Sequence, residues 1–238
     1  MAIHAYVGKP GHGKSYGVVE HVVIPSLKQD RHVYTNIPLV ADELLSAFGG
    51  NITQLPENWF EIEDLAEWTP PGAVVILDEC WRRWPNGQNI NTARLTDKAL
   101  MAEHRHRVDS KNKSMRVVLV TQNLSQISKW LRDLVETTYV VRKLGKKVYK
   151  VDIYNSGVTG DSPPRSKLIR SDAGTFKPAI YCFYKSATKS ESGTVGDESV
   201  ADGRGSIFRS FGLWALIIFI VVCLISGFVG LNRFFSGN

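Results

Sequence analysis

A chain of 238 residues with 22% charged residues and a formal net charge of +6 can bury one substantial core, with a short appendage left over. Its charge content excludes a protein made mostly of membrane spans, and its three scattered cysteines, Cys80, Cys182 and Cys223, exclude a disulfide scaffold. The positive balance leaves room for an acidic partner, nucleic acid or anionic lipid, without choosing between them.

In chain order, residues 3–7 (IHAYV) form a short strand that runs into Gly8-Lys9-Pro10-Gly11-His12-Gly13-Lys14-Ser15. This completes the G-x-x-x-x-G-K-[ST] phosphate loop. The glycines let consecutive backbone N–H groups converge on phosphate oxygens, Lys14 adds charge toward the β- and γ-phosphates, and the Ser15 hydroxyl is placed for Mg²⁺. A helix opening at Tyr16 turns its positive end to the same anion. Gly8 through Tyr16 are therefore the expected nucleotide-binding residues. Tyr16, Val19, Val22 and Val23 keep helical spacing, and Pro25 marks the expected helix end. A second strand spans 32–37, and Ala41, Leu44, Leu45 and Phe48 predict a helix stopped by Gly49-Gly50. A short helix is expected over 61–68, closed by Pro70-Pro71-Gly72.

Residues 73–77 are an unbroken apolar run, the signature of a strand buried on both faces of a parallel sheet. That run ends in Asp78-Glu79, the Walker B form: Asp78 as an Mg²⁺ ligand and Glu79 as the group that polarises the attacking water. A helix is expected over 95–108 and a buried strand over 116–120 (RVVLV). Gln122, just after that strand, can place an uncharged amide on both γ-phosphate and water, or merely cap the helix expected over 124–135. Arg94, Arg105 and Arg107, lying between the two buried strands, are the candidates for a positive charge donated to a neighbouring subunit's site. Trp81 and Trp84 are read as core or subunit interface. Basic clusters at Arg82-Arg83, Arg105/Arg107, and Arg142-Lys143 through Lys146-Lys147 read individually as solvated surface. No guanine-reading Asn-Lys-x-Asp motif occurs, so adenine, hence ATP with Mg²⁺, is the expected ligand.

Residues 137–142 and 147–154 predict a hairpin, 155–178 an irregular stretch, and 179–184 one more strand. Strands alternating with helices predict an α/β P-loop NTPase, a mainly parallel sheet flanked by helices, over residues 1–185. Residues 186–210 read as a flexible linker rich in Ser, Gly and acidic residues. Residues 211–231 contain no charge, and at ~1.5 Å per residue span roughly 30 Å as a helix, the thickness of a bilayer core. Arg204, Arg209, Lys185 and Lys189 precede this span and Arg233 follows it, which predicts a cytoplasmic N-terminal domain and a short extracytoplasmic tail over 232–238.

The set GKPGHGKS, VVILDEC followed by Trp81, and EHRHR…VVLVTQN, then a single span, resembles the Zot-type (zonular occludens toxin-like) family. That family includes the inner-membrane assembly ATPases of filamentous bacteriophages, and the Walker B and TQ segments are also similar to the FtsK/HerA group of oligomeric translocases. The resemblance covers about residues 1–150 and the topology to residue 231. It implies Lys14, Glu79 and Gln122 as catalytic residues and a ring-forming homo-oligomer in the host inner membrane, its C-terminus periplasmic. By the same resemblance, the partners are coat protein, ssDNA or its binding protein, and an outer-membrane channel reached through another subunit. Members often carry a sizeable outer domain after the span, whereas seven residues follow Leu231 here. A conjugation-type DNA translocase and a nucleotide-gated scaffold with little turnover are the alternative expectations.

Overall fold

The computed structural model describes residues 3–160, 162–185 and 219–223. Contacts divide the chain into a unit of residues 1–189 and a second unit of residues 190–238. In the second, residues 219–223 are helical; the expected linker and tail, and most of the expected span, lie outside the described residues. Among the described residues no helix is long and apolar enough to cross a membrane.

The first unit is built on one eight-stranded sheet: β1 (Ile3–Val7), β2 (His32–Thr35), β3 (Asn51–Gln54), β4 (Val74–Asp78), β5 (Arg116–Thr121), β6 (Val135–Lys143), β7 (Val148–Asn155) and β8 (Leu168–Thr175). Their spatial order is β3-β2-β4-β5-β1-β6-β7-β8. The first six run parallel, and β7 and β8 add on antiparallel. Alternation explains the apolar runs. Val75 and Leu77 of β4 face one core with Val117, Leu119, Trp59, Trp84 and Met101, while Val74 and Ile76 face the other with Val118, Val120, Val18, Leu27 and Leu44. Strands buried on both sides need no polar face, and they form the centre of the sheet.

The helix after the phosphate loop is α1 (Lys14–Val18), a π-helical turn (Val19–Val23), then α2 (Ile24–Lys28). Pro25 therefore does not end the helix. Proline lacks an N–H and crowds the carbonyl four residues back, and the wider π-turn just before it lets the axis continue. α3 (Ala41–Phe48) ends at Gly49 and Gly50, both in the left-handed region, as the sequence predicts. The helix expected over 61–68 is instead a 3₁₀ turn (Trp59–Glu61) and α4 (Leu65–Trp68), with the Asp64 carboxylate accepting from Ala66 N–H at 2.7 Å. α5 (Leu95–Glu103) stops short of 108 in a 3₁₀ turn over His104–His106.

Three expectations fail outright. Residues 124–135 hold only a 3₁₀ turn (Leu124–Gln126) and α6 (Lys129–Arg132), and Val135 already opens β6. Residues 155–178, read as irregular, contain β8. Residues 179–184, read as a strand, carry α7 (Pro178–Tyr181), with a single bridge from Leu39 to Tyr184.

Arg83, read as surface, is buried. Its guanidinium forks onto Asp97 (Nε–Oδ2 2.9 Å, Nη2–Oδ1 2.5 Å) and donates to the carbonyls of Phe60 and Ile62, while Trp84 Nε1 also donates to Asp97 at 2.8 Å. One ion pair thus fastens the 59–62 loop, the turn after β4 and α5 to each other. Trp84 is fully buried, whereas Trp81 is 38% exposed.

Candidate functional site

In a parallel sheet the strands end along one edge, and here β5 stands between β1 and β4. Val7 pairs with Thr121 and Asp78 with Val120, so the ends of β1, β5 and β4 lie in a row. Gly8 begins the phosphate loop at the first end, Gln122 leaves the second, and Asp78-Glu79 closes the third. The loop sits at a crevice where connections diverge, the usual ligand position in such sheets.

The loop geometry follows from its glycines. Gly8 has φ 156°, and a Cβ there would stand 2.5 Å from the Val141 carbonyl oxygen of β6. Gly13 has φ 89°, and a Cβ there would meet the Phe176 ring at 2.7 Å. Any side chain at either position would break the loop. Between them His12 N–H bonds Lys9 O at 3.2 Å. The first helical bond is Gly17 N–H to Gly13 O at 2.9 Å, which leaves Lys14, Ser15 and Tyr16 N–H groups without acceptors in the helix. Lys9, Pro10 and Gly11 are exposed at the loop's rim, while His12, Gly13, Lys14 and Ser15 are half-buried and Tyr16 is buried. Lys14 Nζ donates to Gly8 O at 2.8 Å and Lys9 O at 3.2 Å. Burial holds its pKa below the usual lysine value, against the pull of Asp78 and Glu79.

Asp78 carries the complementary problem. Burial pushes its carboxyl up to about 6, and the neighbouring Glu79 charge pushes the same way, while the Glu79 N–H (2.8 Å to Oδ1) and Lys14 oppose them. Asn36, at the end of β2, clamps the Asp78 backbone from both sides: Nδ2 donates to its carbonyl at 2.9 Å and Oδ1 accepts its N–H at 2.7 Å. Glu79 is a non-glycine residue in the left-handed region (φ 53°), a strained conformation that concentrates at active sites. A carboxylate whose ionised form burial disfavours gains from a cation, so Asp78 with the Ser15 hydroxyl fits Mg²⁺.

Gln122 is exposed at its strand end, and its carbonyl accepts the Gly8 N–H at 3.1 Å, stitching β5 to the loop. The turn behind it is fixed by an Asn123/Gln126 capping box, with Thr121 Oγ1 donating to Gln126 at 2.8 Å. Beside the loop, Gly8, Lys9, His12 and Gln122 share a 290 Å³ cleft with Val141 and Leu144 of the β6–β7 hairpin, a size and lining that suit a small organic ligand. Sequence reasoning missed this apolar wall, and also Asn36 and Phe176. Asn36 offered one signal, a polar residue directly after a strand; Phe176 offered none.

The three arginines lie elsewhere. Arg105 pairs with Glu136 at the start of β6, and Arg107 donates to the carbonyls of Ala66 and Thr69 at 2.8 and 2.7 Å. The Arg107 backbone carbonyl accepts from Gly72 and Met115, just before β4 and β5, so both residues stand at the sheet edge opposite the loop. Arg94 stands at the N-cap position of α5 and its guanidinium donates to the Ile62 carbonyl.

The profile of the zonular occludens toxin (Zot) family matches residues 2–191. The chain belongs to the Zot family. This Zot-family chain is 22% identical to the zona occludens toxin of Vibrio cholerae serotype O1 over 163 residues, 58% of its own length and 39% of that relative's. It therefore spans well under half of the curated relative it matches. Its fold is similar to the crystal structure of the N-terminal domain of zonular occludens toxin from Neisseria meningitidis, with TM-score 0.53 and 21% identity over 77% of this chain and 98% of that one. A looser likeness, TM-score 0.43 and 17% identity over 74% and 97% of the two chains, is to the genome packaging NTPase B204 of Sulfolobus turreted icosahedral virus 2 in complex with ATP-gammaS.

Proposed function

We propose that this Zot-family protein is a membrane-anchored, oligomeric ATPase that powers assembly and extrusion of filamentous phage through the host inner membrane. The carrying observation is the row of three strand ends, which brings Lys14, Gln122 and the Asp78-Glu79 pair to one edge. Phosphoryl transfer asks a protein for placed charge and an ordered water more than for covalent chemistry, and that row gathers candidate groups for both. Water attacks the γ-phosphorus, giving its proton to Glu79, as the bond to the β–γ bridging oxygen breaks. Lys14 carries charge on the phosphates and Gln122 orients the water. Mg²⁺, held by Ser15 and Asp78, would neutralise phosphate charge. The apolar segment over 211–231 is the proposed anchor, with the N-terminal domain cytoplasmic. Coat protein and ssDNA or its binding protein are the proposed cargo, and a second copy of the chain the ring neighbour.

Steady-state ATP hydrolysis by the full chain in nanodiscs, wild type beside Glu79→Gln, with and without ssDNA, tests the reading. Turnover that Glu79→Gln lowers by at least a hundredfold supports the ATPase, and stimulation by ssDNA supports direct handling of the genome. Tight ATPγS binding without turnover would replace the motor with a nucleotide-gated scaffold.

A further inference from the structure

Two tryptophans follow β4, three residues apart, and their indole N–H groups are used differently. Trp84 is fully buried and donates to Asp97 within the core ion pair. Trp81, on the 3₁₀ turn Cys80–Arg82, is 38% exposed and donates its Nε1–H to the Glu79 carboxylate itself. The Arg82 guanidinium lies 5.8 Å from the Trp81 ring centroid and 5.5 Å from that of Phe60, so this turn is an aromatic and basic outcrop rather than part of the core.

The direction in which Glu79 is held matters. With φ 53° it lines a 370 Å³ cleft on the β2 side of β4, together with Asn36, Trp59, Phe60 and Arg82. No residue of the phosphate loop lines that cleft, and Glu79 does not line the cleft where the loop meets Gln122. Glu79 nevertheless directly follows Asp78 at the end of β4, the same strand end that faces the loop across β5. Asp78 is held differently, by Asn36 on both of its backbone groups and by the Glu79 N–H on its carboxylate.

Resting on the ATPase reading above, we infer that Trp81 is a positioning residue that holds Glu79 turned away from the loop and restrains hydrolysis until its N–H releases the carboxylate. A carboxylate that accepts an indole N–H is turned from the water it would have to polarise. Because the indole is half in solvent, whatever packs on the outcrop can draw it away without disturbing the core.

The test pairs kinetics with a direct view of the contact. Trp81→Phe keeps the ring and removes the donor: turnover without ssDNA or other partners is expected to rise at least threefold, with the KM for ATP and the Tm unchanged. Adding Glu79→Gln to it should abolish the gain. Turnover equal to or below wild type overturns the restraint. In parallel, the full chain labelled with 5-fluorotryptophan is followed by ¹⁹F NMR, the Trp81 resonance being assigned by its loss in Trp81→Phe. That resonance should shift in Glu79→Gln and again on adding Mg²⁺ with ATPγS. An unmoved resonance in Glu79→Gln overturns the contact even if the wild type hydrolyses nothing, whereas absent wild-type turnover with a shifting resonance overturns the ATPase reading alone.

Discussion

At the edge where the parallel strands begin, cations are bonded into the protein: Arg31 to the carbonyls of Gly72 and Ser114, Arg107 to Ala66 and Thr69, and Arg105 to Glu136. At the edge where they end, Lys14 is held below its usual pKa and Asp78 above its own, both by burial. Burial lowers Arg31 as it lowers Lys14, so the edges differ in their surroundings: arginines bonded across loops at one, and a lysine beside two carboxylates and a phosphate loop at the other. Only the second edge pairs its burial-shifted charges with a glycine-rich loop, the combination a bound phosphate and cation would complete. Arg83 and Asp97 warn against sorting by edge alone, since this fully buried pair beyond the end of β4 is bonded from within.

The contrast can be broken at several points. The largest effect is expected from Lys14→Ala, which should lower affinity for Mg·ATP at least a hundredfold by isothermal titration calorimetry and leave phage release at background; release at the wild-type level would sink the motor. Next comes the core pair: Asp97→Ala should cost roughly 3–5 kcal/mol by urea denaturation, because a buried guanidinium loses its counter-charge. Asp78→Asn should act in the opposite direction. A carboxyl whose folded pKa is raised to about 6 binds its proton more tightly folded than unfolded, so stability falls as pH rises from about 4 through 6. In EDTA, Asp78→Asn should therefore be more stable than wild type above pH 7, by on the order of 1–3 kcal/mol, with the gain vanishing near pH 4. Melting curves that coincide across that range would remove Asp78 from the burial-shifted charges. Smallest is Arg105→Ala, a half-exposed pair, expected to cost under about 1 kcal/mol and to leave ATP turnover unchanged. A large loss of turnover there would return Arg105 to the catalytic machinery through a neighbouring subunit.

The central fold was legible because β1, β4 and β5 are buried on both faces and so write themselves as apolar runs, and because chemistry in such sheets sits where strands end. Edge elements were not. β3 (burial half-exposed to exposed along its length) and β8 carry no apolar alternation, and only pairing with β2 and β7 makes them strands. The helix expected over 124–135 loses to tertiary bonds. Gln126 O accepts from Asn86 and Ser128 N–H donates to Trp84 O, drawing the chain onto the loop after β4. Pro178 was a readable sign of a helix start, since α7 opens on it. In the site, Lys14, Asp78, Glu79 and Gln122 were legible from position in the chain, whereas Asn36 and Phe176 act through contacts 42 and 163 residues away in sequence, as the Asn36–Asp78 and Phe176–Gly13 approaches show. No local pattern encodes such contacts.

Phe176 leads to a mechanical consequence. Its ring packs 4.9 Å, edge-on, from Tyr16; the next residue donates its N–H to the Tyr16 hydroxyl at 2.8 Å and sets its ammonium 2.7 Å from Glu20. Nine residues further on, Lys185 N–H is bonded to Pro38 O. The stretch between is held at both ends, to the helix behind the phosphate loop through Tyr16 and Glu20, and to residues 38–40 through Phe183 and Lys185. It therefore ties the helix behind the phosphate loop to the chain two residues past Asn36, the residue that holds the Asp78 backbone.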